Sequence, residues 1–444
     1  MKARRLPRDP GPAGWNALLP EAPPPRQLDR SQSADFLIIG AGFAGLAAAR
    51  RLRHHAPDAR IVVLDAVRIG EGPVGRNSGF MIDLPHVLTS DHYASSGDTD
   101  RQETWANRVA IDFALEAAKD YGLPDEAISM AGKVNGAATE RGLSQNADYS
   151  RHLDALGEPH EMLDAQAMSA LTGSEYYMGG LFTPGVAMLQ PAMYARGMAE
   201  GLRRAGVEIY EQSPVTELTH EGSTWTAKTP YGAVEAPKVI LAINGHAESF
   251  GFFRRRLLHV LLYASMTRAL SAEEAARLGG KPKWGITPSD PMGSTVRRIS
   301  GTGGDRIIVR NRASFAPGLE VPNDIVARMG QDHDKAFRAR FPMLDGVGME
   351  YRWAGRLCLS LNDVPAFGEV EPGLIAACCQ NGLGTTKGTF NGMAAADLAV
   401  GVDSEISTYQ AAKPPPKRLL PGPLMRIGAP LRIRWRERAA GREL

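Results

Sequence analysis

One stretch near the start of the chain limits the fold more than any other: "ADFLIIGAGFAGLAAARRLRHHAPDARIVVLDA", residues 34–66. Phe36–Ile39 is a short apolar run of the kind that a fully buried parallel strand needs. Gly40, Gly42 and Gly45 follow as G-x-G-x-x-G, and Leu46, Ala49 and Leu52 then recur at helical spacing until residues 54–57 stop the helix. Ile61–Leu64 is a second apolar strand, closed by Asp65 and Ala66. The first glycine permits a tight strand-to-helix turn, the second lets a diphosphate approach the backbone, and the third lets the helix pack on the sheet. Phe43 and Ala44 begin the helix whose free N–H groups and positive end would meet that diphosphate. The acid after the second strand suits a ribose hydroxyl. Strand, glycines, helix, strand and acid together predict a dinucleotide-binding α/β unit. They leave NAD and FAD open; no second fingerprint follows, so one dinucleotide is expected.

Composition removes several alternatives. A formal net charge of +2, without a basic domain, gives no expectation of a nucleic-acid partner. No apolar run reaches the length of a membrane span, and the charged N-terminal stretch lacks a signal peptide's apolar core. Three cysteines in 444 residues fit a reducing cytoplasm rather than a disulfide scaffold. Cys378 and Cys379 are sequence neighbours, not a C-x-x-C pair, so no metal site is expected. Their surroundings, "AACCQNGLGTTKG" (376–388), lack the gap and the final G-K-[ST] of a P-loop. "AACC" reads instead as a buried strand, in which cysteine is a small apolar residue.

Three further stretches narrow the choice of cofactor: "GEGPVGRNSGF" (70–80), "LQP" opening a helix at Pro191 that Gly206 closes, and the late "NGLGTTKG" before an alanine-rich helix. With the fingerprint they resemble the D-amino-acid oxidase family of FAD-dependent oxidoreductases, in its sarcosine oxidase, glycine oxidase and gamma-glutamylputrescine oxidase branch. The resemblance runs from about residue 15 to residue 401. It implies an α/β fold, α+β overall, in which a Rossmann-like FAD-binding domain (30–90, 185–250 and 345–405) is interrupted by a mixed-sheet substrate domain (91–184 and 251–344). An N-terminal arm (1–29) and a basic tail (406–444) flank them. The bare pattern of the intervening segments agrees: 104–121 has helical periodicity, 257–267 is a long apolar strand, Ser271 caps a short helix, and 294–298 and 306–310 pair across "SGTGGD".

The resemblance also implies roles. Gly40, Gly42, Phe43, Ala44 and Gly45 would hold the diphosphate, Asp65 and Ala66 the adenosine end, and Val215 the adenine. Asn244 and Gly245 would pass near the diphosphate. Gly75, Arg76, Asn77, Ser78 and Gly79 would line the flavin, and Gly382, Leu383, Gly384, Thr385 and Thr386 would turn beneath it. Some relatives attach FAD through a cysteine near this strand region. Cys358 lies two residues from the matching position, Arg356, so the expectation is FAD held non-covalently.

The implied activity is oxidation of an amine or amino acid to an imine, with oxygen or another electron acceptor completing the cycle. Substrate-site candidates are Phe80, Met81, Tyr263, Trp353 and Arg352. A substrate carboxylate would suit an arginine fork, drawn from Arg297, Arg298, Arg310, Arg352 and Arg356. No dedicated catalytic residue is expected beyond the flavin, with Lys387 and Arg298 as candidates; Lys387 would add positive charge beside the flavin or reach a substrate carboxylate. The alternatives are an FAD- and NAD(P)H-dependent hydroxylase, disfavoured by the missing late G-D motif, and a non-catalytic flavoprotein subunit. The basic tail is expected to strap the body, with one short helix at its end; docking to an acidic membrane surface is the alternative.

Overall fold

The structure is a computed structural model and describes residues 1–85 and 96–444. Its centre is a six-stranded sheet in the order Glu208–Tyr210, Ile61–Leu64, Phe36–Ile39, Lys238–Leu241, Leu374–Cys378 and Ala366–Glu371. All neighbours are parallel except the last pair. Ile61–Leu64 is buried throughout, as a strand covered on both faces must be. The Phe43–His55 helix, the Thr386–Val400 helix and the Pro191–Arg204 helix pack together over one face. Ala48, Ala49, Ala395 and Ala396 let these backbones approach closely. On the other face a small sheet contributes Trp225, whose Nε1 donates to the Pro372 carbonyl.

An eight-stranded sheet stands beside this unit, in the order Met349–Leu359, Leu258–Thr267, Arg306–Phe315, Thr295–Ile299, Trp284–Pro288, Lys133–Ala137, Gly179–Thr183 and Glu161–Asp164. Only the Trp284–Pro288 and Lys133–Ala137 pair is parallel. The long Leu258–Thr267 strand and the paired strands across residues 300–305 form as their sequences predict. Ser271 caps its helix through a reciprocal capping box with Glu274. The 104–121 periodicity belongs to a longer helix, Gly97–Tyr121, ended by Gly122 in the left-handed region.

Two expectations change, and a third falls on residues that the structure does not describe. The segment 345–405 divides between the two sheets, because Met349–Leu359 pairs with Leu258–Thr267 rather than with the dinucleotide sheet. That choice of partner is non-local and has no local sequence signal. The proposed boundary between 30–90 and 91–184 lies outside the described residues. In the tail, a 19-residue helix, Gly422–Ala440, replaces the short one expected, and it runs through Pro430. The proline removes one helical bond at a cost of roughly 3 kcal/mol. Contacts of the helix's second half with the body offset that cost: the Glu437 carboxylate accepts from Ala313 N at 3.0 Å and from Arg312 at 3.1 Å.

Candidate active site

A cavity opens where the carboxyl ends of the parallel strands meet the eight-stranded sheet. Gly40, Gly42, Phe43 and Ala44 line it beside Asp65 and Ala66. Gly45 lies behind this wall. A Cβ there would sit 1.8 Å from the Gly40 carbonyl oxygen, so only glycine lets the helix start so close to the strand. At Gly42, by contrast, a Cβ would meet no protein atom within 4 Å. This is the open approach that a diphosphate requires. The Asp65 carboxylate accepts from Ala41 N at 2.7 Å and from Val67 N at 2.9 Å, and burial raises its pKa to about 6.

Val215, Asn244 and Gly245 border the same cavity, and Asn244 Oδ1 accepts from Cys379 N at 3.0 Å. This ties the turn after Lys238–Leu241 to the turn after Leu374–Cys378. Gly382, Leu383, Gly384 and Thr385 carry the lining to the N-terminal end of the Thr386–Val400 helix. Thr386 itself falls outside the lining. Cys378 and Cys379 are fully buried, and Cys378 Sγ donates to the Leu241 carbonyl.

The loop 70–80 forms another wall, with Arg76, Asn77, Ser78, Gly79 and Phe80 along the cavity and Gly75 packed behind against Gly70. Several side chains hold it. Asn77 Oδ1 accepts from Gly79 N, Trp15 Nε1 donates to the Asn77 carbonyl, and Arg76 donates to the Glu71 and Ala354 carbonyls. Gly79 has φ of +72° and leans on Arg297, so a side chain there would be strained and would also strike the guanidinium. Arg297 Nη1 donates to the carbonyls of Ser78, Gly79 and Leu189 at 2.8, 3.0 and 2.9 Å. Its guanidinium lies over the rings of Trp15 and Phe80. Burial pulls its pKa down to about 9, still above neutral pH, so it serves the loop as a cation.

The eight-stranded sheet contributes Thr287, Thr295, Arg310, Ala264 and Leu262, with Ala264 and Thr295 standing opposite Arg310 in register on its two sides. Arg310 Nε donates to Ser78 Oγ at 3.2 Å, which puts this arginine against the 70–80 loop. Arg356 also lines the cavity, in an ion pair with Asp9 at 2.7 Å.

Other candidates do not reach the cavity, for reasons of strand and helix phase. Arg298 follows Arg297 on the opposite sheet face and pairs with Asp305 at 2.7 Å. Arg352 is held by Asp334 and the Gly330 carbonyl on the outer helix Asn323–Arg340. The Tyr263 hydroxyl meets Ser314 at 2.6 Å, and its ring shares an outer cluster with Val326. Trp353 packs on Trp15, and Met81, one residue out of phase with Phe80, enters the core. Lys387 is turned away from Thr385 and Gly388 by the helical advance and pairs with Glu103 at 2.6 Å.

Two contributions have little or no sequence signal. Arg5, Leu6 and Pro7 of the arm line the cavity, held there by bonds such as Ala3 N to the Thr216 carbonyl and Arg4 N to the Ser249 carbonyl. Lys133 stands behind Thr287. Its ammonium donates to Thr287 Oγ1 at 3.1 Å and to Asn135 Oδ1, and burial lowers its pKa to about 8. A lysine and an asparagine alternating with Val134 in "GKVNGAA" was the only available hint of an inward polar face.

Because the folded pKa of Lys133 is depressed, the folded state releases this proton before the unfolded state does. Stability is therefore reduced below pH 8 and rises between pH 8 and the unfolded value near 10.5. The difference corresponds to about 3 kcal/mol. Lys133→Met is expected to flatten this rise and to raise stability at pH 7 by about 2 kcal/mol. Chemical denaturation of both proteins from pH 7 to 10 measures it.

The chain as a whole matches known proteins. Residues 35–398 match the sequence profile of the family described as "DAO: FAD dependent oxidoreductase". The chain belongs to this FAD-dependent oxidoreductase family. It is 27% identical to the probable oxidoreductase OrdL of Haemophilus influenzae, covering 87% of this chain and 88% of that one. It is 26% identical to the gamma-glutamylputrescine oxidoreductase of Escherichia coli, covering 84% and 85%. The glycine oxidase of Geobacillus kaustophilus superposes with a TM-score of 0.69 at 18% identity, covering 84% of this chain and 96% of that one.

FAD is the cofactor of this family, and the cavity suits it. The glycine cradle is open at Gly42, the Asp65 carboxylate sits at the end of the next strand, and both ring nitrogens of His246 are buried at the wall with no hydrogen-bond partner among the described residues. Cys358 borders the cavity, but its thiol is buried and its pKa is pushed well above the usual range beside Cys379. The chain is an FAD-dependent oxidoreductase.

Proposed function

We propose that this protein oxidises the C–N bond of an amino acid, or of an amine bearing a carboxylate, to an imine that water then hydrolyses. FAD supplies the hydride acceptor for the C–H bond beside the neutral amine. The observation that carries the substrate class is the placement of Arg310. Among the candidate arginines, Arg310 lines the cavity from the sheet face that meets the 70–80 loop, with its Nε on Ser78 Oγ at 3.2 Å.

Arg310 would bind the carboxylate through its planar fork and so orient the substrate. Phe80, Leu262 and Ala264 would keep water from the reacting carbon. The Thr386–Val400 helix would direct its positive end toward the cavity, where charge gathers as the cofactor is reduced. Asp65 would accept a ribose hydroxyl, and the loop held by Arg297 would fix the flavin side of the cavity. Either oxygen or a second protein or small-molecule acceptor would complete the cycle.

The test is anaerobic bleaching of the flavin spectrum by a panel of amino acids and secondary amines, without NAD(P)H. Bleaching by amino acids is expected, with Arg310→Leu raising the concentration needed about 100-fold for carboxylate-bearing substrates. Bleaching by NADPH alone would replace this reading with a hydroxylase. A wild-type flavin that no amine reduces would overturn it.

A further inference from the structure

The helix Gly422–Ala440 carries a feature that the cavity and its chemistry leave unexplained. Leu424, Ile427, Leu431 and Trp435 recur at intervals of three and four residues, and therefore lie on one stripe. Their exposures are 56%, 65%, 59% and 69%, and Leu420, just before the helix, continues the stripe at 60%. The opposite side meets the body: Met425, Ala429 and Ile433 are half-buried, and Glu437 and Ala440 are buried. The helix thus has one apolar side packed down and a second apolar side facing water. Isolated exposed leucines need no explanation, but a continuous stripe ending in an exposed tryptophan does.

The charges around the stripe identify its occupant. At 100° per residue, Arg434 and Arg432 fall on its two flanks and Arg438 extends it, with all three exposed. Lys417 and Arg418 precede the helix and are also exposed. Glu437 is the helix's sole acidic residue, and it is buried in bonds with Arg312 and the Ala313 amide. The outward surface is therefore apolar along its middle and cationic along its edges. A second copy docking on the same stripe would bring like charges together across a two-fold axis. An anionic bilayer surface matches both parts, since leucine and isoleucine enter the acyl boundary, arginines meet the phosphates, and tryptophan sits at the interface.

The helix is also fixed to the body at its far end, which a docking element requires. Arg141 Nη1 donates to the Ala439 carbonyl at 3.3 Å, Ser294 N donates to the Glu443 carbonyl at 2.8 Å, and Glu443 accepts from Ala138 N at 2.8 Å. We propose that the Gly422–Ala440 helix docks the folded enzyme on a membrane surface rich in anionic lipid, lying in the interface plane without crossing it. Among the described residues, no helix is long and apolar enough to span a membrane.

Vesicle flotation tests the proposal on the full-length, flavin-loaded protein. Binding is expected to vesicles holding roughly one-third phosphatidylglycerol at low salt, and to fall at least tenfold on pure phosphatidylcholine. The double variants Ile427→Asp/Leu431→Asp and Arg432→Glu/Arg434→Glu should each weaken binding at least tenfold, with flavin content and turnover unchanged. With brominated lipid, wild-type tryptophan fluorescence should be quenched, and Trp435→Phe should lose that quenching. This readout stands even if a double variant folds poorly. Failure of the wild type to float with anionic vesicles would overturn the proposal. So would undiminished binding by both double variants, or a wild-type dimer that the aspartate pair dissociates in the absence of any vesicle affinity.

Discussion

Replacing Gly45 by alanine is expected to yield a protein that purifies without flavin and melts roughly 6 °C or more below the wild type. The added methyl carbon would stand 1.8 Å from the Gly40 carbonyl oxygen, a backbone atom that cannot swing aside. Relief requires the Phe43–His55 helix to move off the Phe36–Ile39 strand, at a cost of about 3 kcal/mol or more. Such a shift also displaces the N–H groups at the helix start, which a diphosphate needs. Gly42→Ala separates the two effects. Its Cβ meets no protein atom, so the variant should melt near the wild-type temperature yet bind FAD at least tenfold more weakly. Thermal melting and the ratio of flavin to protein absorbance measure both. A Gly45→Ala protein with full flavin content and wild-type melting would contradict the assignment of the glycine cradle.

Arg297→Met is expected to separate flavin affinity from global stability. In the wild type, removing the guanidinium from water depresses its pKa to about 9. This corresponds to a penalty of about 5 kcal/mol. Its three bonds to the Ser78, Gly79 and Leu189 carbonyls contribute about 6 kcal/mol together, taking about 2 kcal/mol for each bond to a charged donor. The terms nearly cancel, so replacing the arginine by an apolar chain of similar length should change overall stability by only about 1 kcal/mol. The loop, however, loses the donor that gathers its carbonyls. Flavin binding should weaken about 100-fold, equivalent to about 3 kcal/mol. Titration of the flavin-free variant with FAD measures the affinity, and denaturant unfolding measures the stability. Wild-type affinity would show that Asn77 and Arg76 suffice to hold the loop.

The two variants mark how far local sequence could reach. Gly45 was legible because its function depends on residues five positions away, within one turn between a strand and a helix. The same holds for Asp65, for the late turn at 382–385 and for the short capped helix at Ser271. Arg297 appeared only as one arginine among five. Its place behind the 70–80 loop depends on Thr295–Ile299 pairing with Trp284–Pro288 and Arg306–Phe315, strands joined in three dimensions. The phase of each strand then separates neighbours: Arg297 turns to the 70–80 loop, and Arg298 turns to Asp305.

Lys387 shows the same limit on a helix. Its spacing from the late glycines placed it near the cavity, but one residue of helical rotation carried it to Glu103 on another helix. In the other direction, Arg5 and Pro7 sit in a proline-rich arm with no motif, and only the path of the chain brings them to the wall.

The linear pattern therefore settled the dinucleotide unit, which rests on short-range rules of backbone geometry and apolar period. The family and FAD followed from the motifs that resemble that family and from the family match over residues 35–398. Which arginine lines the cavity, which lysine lies buried behind Thr287, and which side of the last helix stays in water were decided by tertiary packing. These depend on sheet partner, strand phase and helix rotation, each set by contacts between residues far apart in the chain.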